Sequence, residues 1–318
     1  MTTLVPPASG PALVGRPPSR GPGRRRRAVM PWLLLSPAIA VLLVLTGYPL
    51  VKLVITSTQR YGRAQVFGQP PEFVGLDNYT RVLTDPQFWR VLARSVVFCG
   101  VNVALTMTIG MLVALLITKL GRAMRLLVTV GLLFAWAMPA LTAIVIWSWM
   151  FDAQYGVINW LLTQSGIDYA GHSWLLNPLS FFAVATVVIT WQSVPFVAFT
   201  GYAALTQVSE DMTEAAELDG AGPWQRLRHV VLPSIKPVLL IIGLLQVIWD
   251  LRVFTQIYVL QKAGGVTRDT NLLGTYIYRL GIGGGDFGTA AAVAMFMLAL
   301  TVLLTAPYVR MMLRNEED

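Results

Sequence analysis

Polar side chains interrupt an apolar run near residues 238–260: Gln246, Trp249, Asp250, Arg252 and Gln256. Ionisable groups at membrane depth are costly, so they usually line a path or pair inside the protein. Asp250 would lie about 18 Å along such a helix, at about 1.5 Å per residue. Gln246 and Asp250 stand four residues apart, so on a helix they share a face and can offer hydrogen bonds to a polar solute. Asp250 and Arg252 stand two apart and do not face each other, so each needs its partner from another helix, another subunit or the solute. The competing reading is a structural ion pair at a subunit interface. Trp249 can stack on a ring or simply pack. A second interruption, Trp191-Gln192-Ser193 followed by Pro195, sets an amide and a freed carbonyl inside another apolar run. Such breaks are tolerated where they line a cavity or are buried in protein, so this one either lines a path or kinks a helix.

None of this is a catalytic constellation. His172 and His229 are too isolated for a metal site. No GxxxxGK[ST] phosphate loop exists, and no Gly-Lys pair occurs, so the chain does not bind ATP by that motif. The Gly281–Gly285 run with Asp286 precedes an apolar run and reads as a flexible outer loop. Cys99 lies inside an apolar run; as the one cysteine it allows no internal disulfide and reads as a small core hydrophobe.

The elements that must position these side chains follow from composition. Of 318 residues 55% are hydrophobic and 13% charged, against about 25% charged in soluble domains. The mean hydropathy is +0.61. This is a polytopic, all-helical membrane protein. Its net charge of +8 does not imply nucleic acid, because the basic residues sit in the N-terminal tail and short loops rather than among aromatics on a soluble face. Residues 1–28, rich in Pro, Gly and Arg, cannot build a core and are expected to be disordered. Arg24–Arg27 would anchor topology or meet anionic lipid.

Apolar runs at 31–55, 92–118, 126–150, 181–205, 238–260 and 289–309 each approach the roughly 20 residues a bilayer requires. Six transmembrane helices result, in one membrane domain over 29–314. The first has no small-residue cleavage site after it and reads as an uncleaved span, kinked at Pro37 and Tyr48-Pro49. Lys119, Arg122, Arg125, Arg226, Arg228, Lys236, Arg310 and Arg314 concentrate positive charge on one side; of the longer opposite loops the first spreads Arg60, Arg63, Arg81 and Arg90 among acids, residues 151–180 carry no Lys or Arg, and the third has Lys262, Arg268 and Arg279. Both termini are therefore expected in the cytoplasm. Phe73, Tyr79, Phe88 and Trp89, in the first outer segment, suit an interface.

On the cytoplasmic side lies a polar island, Glu214 to Pro233, reading EAAELDGAGPWQRLRHVVLP. Gly220 suits a helix C-terminal cap and Pro223 the first turn of a following helix, giving two short amphipathic helices about a glycine corner within the loop 206–236. Such an element is either an ordinary interfacial loop or a docking lever for a partner. Its spacing resembles the EAA loop of ATP-binding-cassette importer permeases at Glu214, Ala215, Ala216, Asp219, Gly220, Val230, Leu232 and Pro233, with Val230 in place of the usual Ile. Phe73-x-Gly75-x-x-Asn78-Tyr79 with Phe88-Trp89, then Pro139, Trp147, Phe151 and Gly156-x-x-Asn159, and the 258–265 segment resemble carbohydrate-uptake permeases of the maltose/glycerol-phosphate type.

That resemblance implies a type I importer fold and a subunit that is not an enzyme. It implies four partners: a second, homologous permease, a dimeric cytoplasmic ATPase, an extracytoplasmic solute-binding protein and membrane lipid. ATP and Mg would be bound by the ATPase, with no cofactor on this chain. Glu214, Ala215, Ala216, Asp219, Gly220, Leu232 and Pro233 would couple to the ATPase. Gln192, Gln246, Trp249, Asp250 and Arg252 would stand on the path of a di- or oligosaccharide. A permease for glycerol-phosphate or another anionic solute, a secondary transporter and a scaffold remain the alternatives; broken-helix pairs in inverted repeats, which would mark a secondary transporter, do not stand out.

Overall fold

The computed structural model describes residues 23–315. The first 22 residues of the basic tail and the last three of the chain lie outside them. By internal contacts the chain divides between Lys52 and Leu53 into two units.

The first unit is a helix, α1 (Gly23–Leu42), followed by a π-helical turn (Leu43–Gly47) that leads into α2 (Tyr48–Ser57). Arg24–Arg27 therefore fall in the opening turns of α1. Pro49 lacks the N–H that would bond a carbonyl one turn earlier, and the π-turn next to it absorbs the mismatch.

The second unit is helical apart from a short antiparallel pair, β1 (Gln59–Arg60) and β2 (Glu72–Phe73). In order come α3 (Arg63–Val66), α4 (Asp77–Thr84), α5 (Pro86–Lys119), α6 (Arg122–Ala137), α7 (Ala140–Met150), α8 (Val157–Gln164) and α9 (Pro178–Leu205). After them come α10 (Glu210–Leu218), α11 (Pro223–Arg226), α12 (Leu232–Ser234), α13 (Lys236–Leu251), α14 (Thr255–Lys262), α15 (Thr267–Thr270), α16 (Leu273–Tyr278) and α17 (Phe287–Asn315).

Among the described residues five helices are long and apolar enough to cross a membrane, and α6 with α7 makes a sixth if that bent pair is one span. This pair departs from the single straight helix expected over 126–150: it bends by 100° at the break. Met138 is extended, at φ −69° and ψ 126°, because a residue before proline is pushed out of the helical region. Pro195 behaves differently. Helix α9 runs through it without a break, with Val194 and Pro195 buried.

The core forms around α5 and α9. Gly110 lets them approach closely: a β-carbon there would stand 2.5 Å from Cβ of Val197. Small residues permit such approach between membrane helices. Phe98, Ile144, Phe181, Val188, Ile257 and Leu260 fill the space between α5, α7, α9 and α14. Cys99 is buried against Val247 and Leu251, as a small hydrophobe should be.

Two expectations about the outer segments are corrected. Phe88 is not interfacial; it is 1% exposed and packs with Val82, Val91 and Tyr276. Residues 279–283 are not a free loop but a π-helical turn, docked on the first outer segment by Arg63 Nη2 donating to Gly283 O at 3.0 Å and by an Arg81–Asp286 ion pair at 3.5 Å. Asn78 completes this layer, its Nδ2 donating to the carbonyls of Ser57 and Gln59.

Candidate functional site: a helical hairpin and a cavity between two helix breaks

The stretch 210–234 forms the helix–corner–helix that the glycine and proline signals predict. Helix α10 ends in a Schellman motif: the Ala221 N–H donates to Ala216 O at 2.9 Å and the Gly220 N–H to Glu217 O at 3.0 Å. Gly220 holds φ +86°, and a β-carbon on it would meet nothing within 4 Å. The corner thus needs glycine for its backbone angle, not for lack of room. Across the corner Arg226 pairs with Glu217, and Gln225 Oε1 accepts from the Gly222 N–H at 2.9 Å. A π-turn at Leu227–Val231 then accommodates Pro233.

Glu214, Ala215, Asp219, Gly220 and Pro233 are exposed, and Ala216 and Leu232 half-buried. Glu214 and Leu218, one turn apart, share a face of α10. Leu218 is 90% exposed and Trp224 67%. Apolar side chains this exposed on a polar hairpin are the part of the surface that pattern reading passed over. Their signal was a leucine and a tryptophan beside the glycine corner.

The second feature is a cavity of about 600 Å³. It lies where two helix breaks face α9: the Met138-Pro139 break and the break at Arg252–Phe254 between α13 and α14. Irregular backbone at membrane depth is tolerated where protein or a cavity satisfies it, and Gln192 does so here. Its Nε2 donates to Met138 O at 3.1 Å, and its Oε1 accepts from Gln256 Nε2 at 3.4 Å. Gln192 therefore holds the two breaks together as well as lining the cavity.

Trp249, Asp250 and Arg252 also line it. Asp250 is buried and its Oδ2 has no hydrogen-bond partner among the described residues. Neither Asp250 nor Arg252 joins an ion pair among the described residues. Trp249 is 44% exposed and meets Phe196 edge-on, ring centres 5.0 Å apart. Gln246 is fully buried, its amide atoms lack partners among the described residues, and it does not line the cavity. The structure adds Trp136, Phe196 and Phe254 to the lining, residues that only the two breaks bring together. No group of metal-ligating side chains occurs among the described residues.

The chain is 42% identical, over 98% of its length and 97% of the relative's, to the diacetylchitobiose uptake system permease protein of Streptomyces coelicolor. It is 33% identical to the sulfoquinovosyl glycerol transport system permease protein of Agrobacterium fabrum, covering 87% of this chain and 88% of that one. Its fold matches a chain of a bacterial ABC transporter involved in import of the acidic polysaccharide alginate, with TM-score 0.76, 21% identity and coverage of 91% and 96%. Residues 106–312 match the model of the binding-protein-dependent transport system inner membrane component, and the chain belongs to that family.

Proposed function

We propose that this chain is the permease subunit of an ATP-driven importer for a di- or oligosaccharide, with diacetylchitobiose the first candidate. What carries the reading is near full-length similarity to a diacetylchitobiose permease together with a cavity whose lining is amide, aromatic and partly charged. Amides and carboxylates hydrogen-bond sugar hydroxyls, and aromatic faces stack on pyranose rings. Trp249, Asp250, Arg252 and Gln192 bear on the sugar directly; Gln246 supports the same helix from behind.

The hairpin docks in a cleft of a dimeric cytoplasmic ATPase. Glu214 makes the charged contact, Ala215 and Ala216 keep the helix thin, Asp219 and Gly220 shape the corner, and Leu232 and Pro233 set the return into α13. A homologous second permease completes the pore, and an extracytoplasmic solute-binding protein delivers the sugar. ATP and Mg bind on the ATPase, and this chain holds no cofactor. Both termini face the cytoplasm, a reading the distribution of Lys and Arg supports, and the basic start of the chain meets the lipid surface. ATPase closure then drives the hairpin and the bundle as a rigid body.

The test is ATPase activity of the reconstituted assembly across a panel of sugars and glycerol-phosphates, each with the binding protein. Stimulation by a neutral sugar supports the reading. Stimulation only by phosphorylated solutes replaces it with an anion permease centred on Arg252.

A further inference from the structure

We propose that Phe254, Tyr258 and Tyr278 form a second sugar subsite, which holds the next ring of an oligosaccharide whose first ring occupies the cavity at Asp250. This rests on the carbohydrate reading and extends it from one ring to two.

Phe254 lines the cavity, at the break that ends α13. Its ring stacks on Tyr258, with ring centres 5.4 Å apart and planes at 14°. Tyr278 closes the group, 5.4 Å from Phe254 and 5.2 Å from Tyr258. The three rings thus run from the cavity wall along α14, toward the end of the fifth span that lies away from the 210–234 hairpin. Aromatic clusters usually serve as core, but none of these rings belongs to the buried core clusters, and Tyr278 is 37% exposed.

The platform is also held in place. Helix α16, which ends in Tyr278, is tied to α5 by the Leu273 N–H donating to Ser95 Oγ at 2.9 Å. Lys262 Nζ lies 5.5 Å from the centre of the Tyr258 ring. An aromatic surface continuous with a cavity of mixed apolar and polar lining fits a ligand with alternating apolar ring faces and hydroxyl edges, longer than one ring.

The experiment uses the assembled permease–ATPase complex without nucleotide or binding protein. The probes are N-acetylglucosamine and its β-1,4-linked di- and trisaccharides, with glucose, maltose and maltotriose as a second series. Titration gives affinity, and saturation-transfer NMR reports which ring touches protein. In the wild type the disaccharide of the preferred series binds about tenfold tighter than the monosaccharide, with both rings in contact. Tyr278→Ala removes that gain and the second-ring signal, leaving the monosaccharide unchanged; Tyr278→Phe keeps both. If the gain survives Tyr278→Ala, or mono- and disaccharide weaken equally, the subsite is overturned while the carbohydrate reading stands. If the wild type binds neither series and no sugar stimulates its ATPase, the carbohydrate reading itself fails and takes the subsite with it.

Discussion

Replacing Gly220 separates a backbone requirement from a steric one. Gly220 sits at φ +86° with open space where a side chain would go. The cost of a substitution therefore comes from the left-handed backbone alone, about 1–2 kcal/mol for an ordinary L-residue. It falls on the two hydrogen bonds that close α10, Ala221 N–H to Ala216 O and Gly220 N–H to Glu217 O. A shift of that size changes the population of the closed corner by a factor of about 5–30. Gly220→Val should bear the full cost, Gly220→Ala somewhat less, and Gly220→Asn least, since Asn tolerates the left-handed region. The hairpin is exposed, so the melting temperature of the bundle should hardly move. The readout is ATP hydrolysis by the reconstituted assembly with and without sugar-loaded binding protein. Stimulation should fall in the order Asn, Ala, Val, while basal hydrolysis remains. If Asn is as damaging as Val, side-chain volume governs the corner and the backbone argument is wrong. If all three variants are stimulated like wild type, the corner has no part in coupling.

Four further outcomes are expected. Glu214→Lys, at an exposed position that makes no ion pair among the described residues, should leave stability within about 0.5 kcal/mol but uncouple hydrolysis from uptake; normal uptake removes Glu214 from the contact. Gly110→Val drives a side chain into Val197 and should destabilise the bundle by about 1–3 kcal/mol, read as a lower melting temperature in detergent. Tyr276 donates to Asp85 Oδ2 at 2.7 Å, and burial, reinforced by that carboxylate, pushes its phenol up to about 12. The folded chain then keeps a proton that the unfolded chain gives up near pH 10, so this contribution is intact below about pH 10 and is lost as the pH rises toward 12; Tyr276→Phe should cost about 1–3 kcal/mol at neutral pH and flatten that alkaline loss. Asp250→Asn replaces a buried carboxylate whose Oδ2 lacks a partner among the described residues with an uncharged group of the same shape, so insertion and melting should be unimpaired while sugar-stimulated hydrolysis drops at least tenfold; wild-type stimulation takes Asp250 off the path.

What was legible in the sequence was what local chemistry dictates. Hydropathy alone places the spans, because a bilayer tolerates little else over 20 residues. The corner at Gly220 is legible because only glycine is at ease at φ +86°, and Pro223 because its missing N–H costs nothing in a helix's first turn. The Met138-Pro139 bend was present in the same terms, since the residue before a proline avoids the helical region. An apolar run reads as continuous across it because hydropathy carries no information about direction. Phe88 was misplaced for a related reason: an aromatic near a span end suits an interface or a core equally, and only the packing of α16 and α17 over it decides.

The cavity was the least legible part, and the reason is physical. Gln192 and Gln256 stand 64 residues apart and meet only because two helices break at the same level against α9. Periodicity on α13 groups Gln246 with Asp250, yet the helix turns Gln246 into protein, sets Asp250 buried in the cavity wall and leaves Trp249 and Arg252 exposed at the opening. A single helix face is thus a poor guide to a site built at a break, where the chain stops obeying the 3.6-residue repeat. The same break brings Phe254 to the cavity wall and starts the aromatic run toward Tyr278. In this chain the irregular backbone at 138–139 and 252–254, more than any one polar side chain, shapes the cavity. Substitutions that restore helix there, Pro139→Ala above all, should close the cavity without altering any residue that lines it.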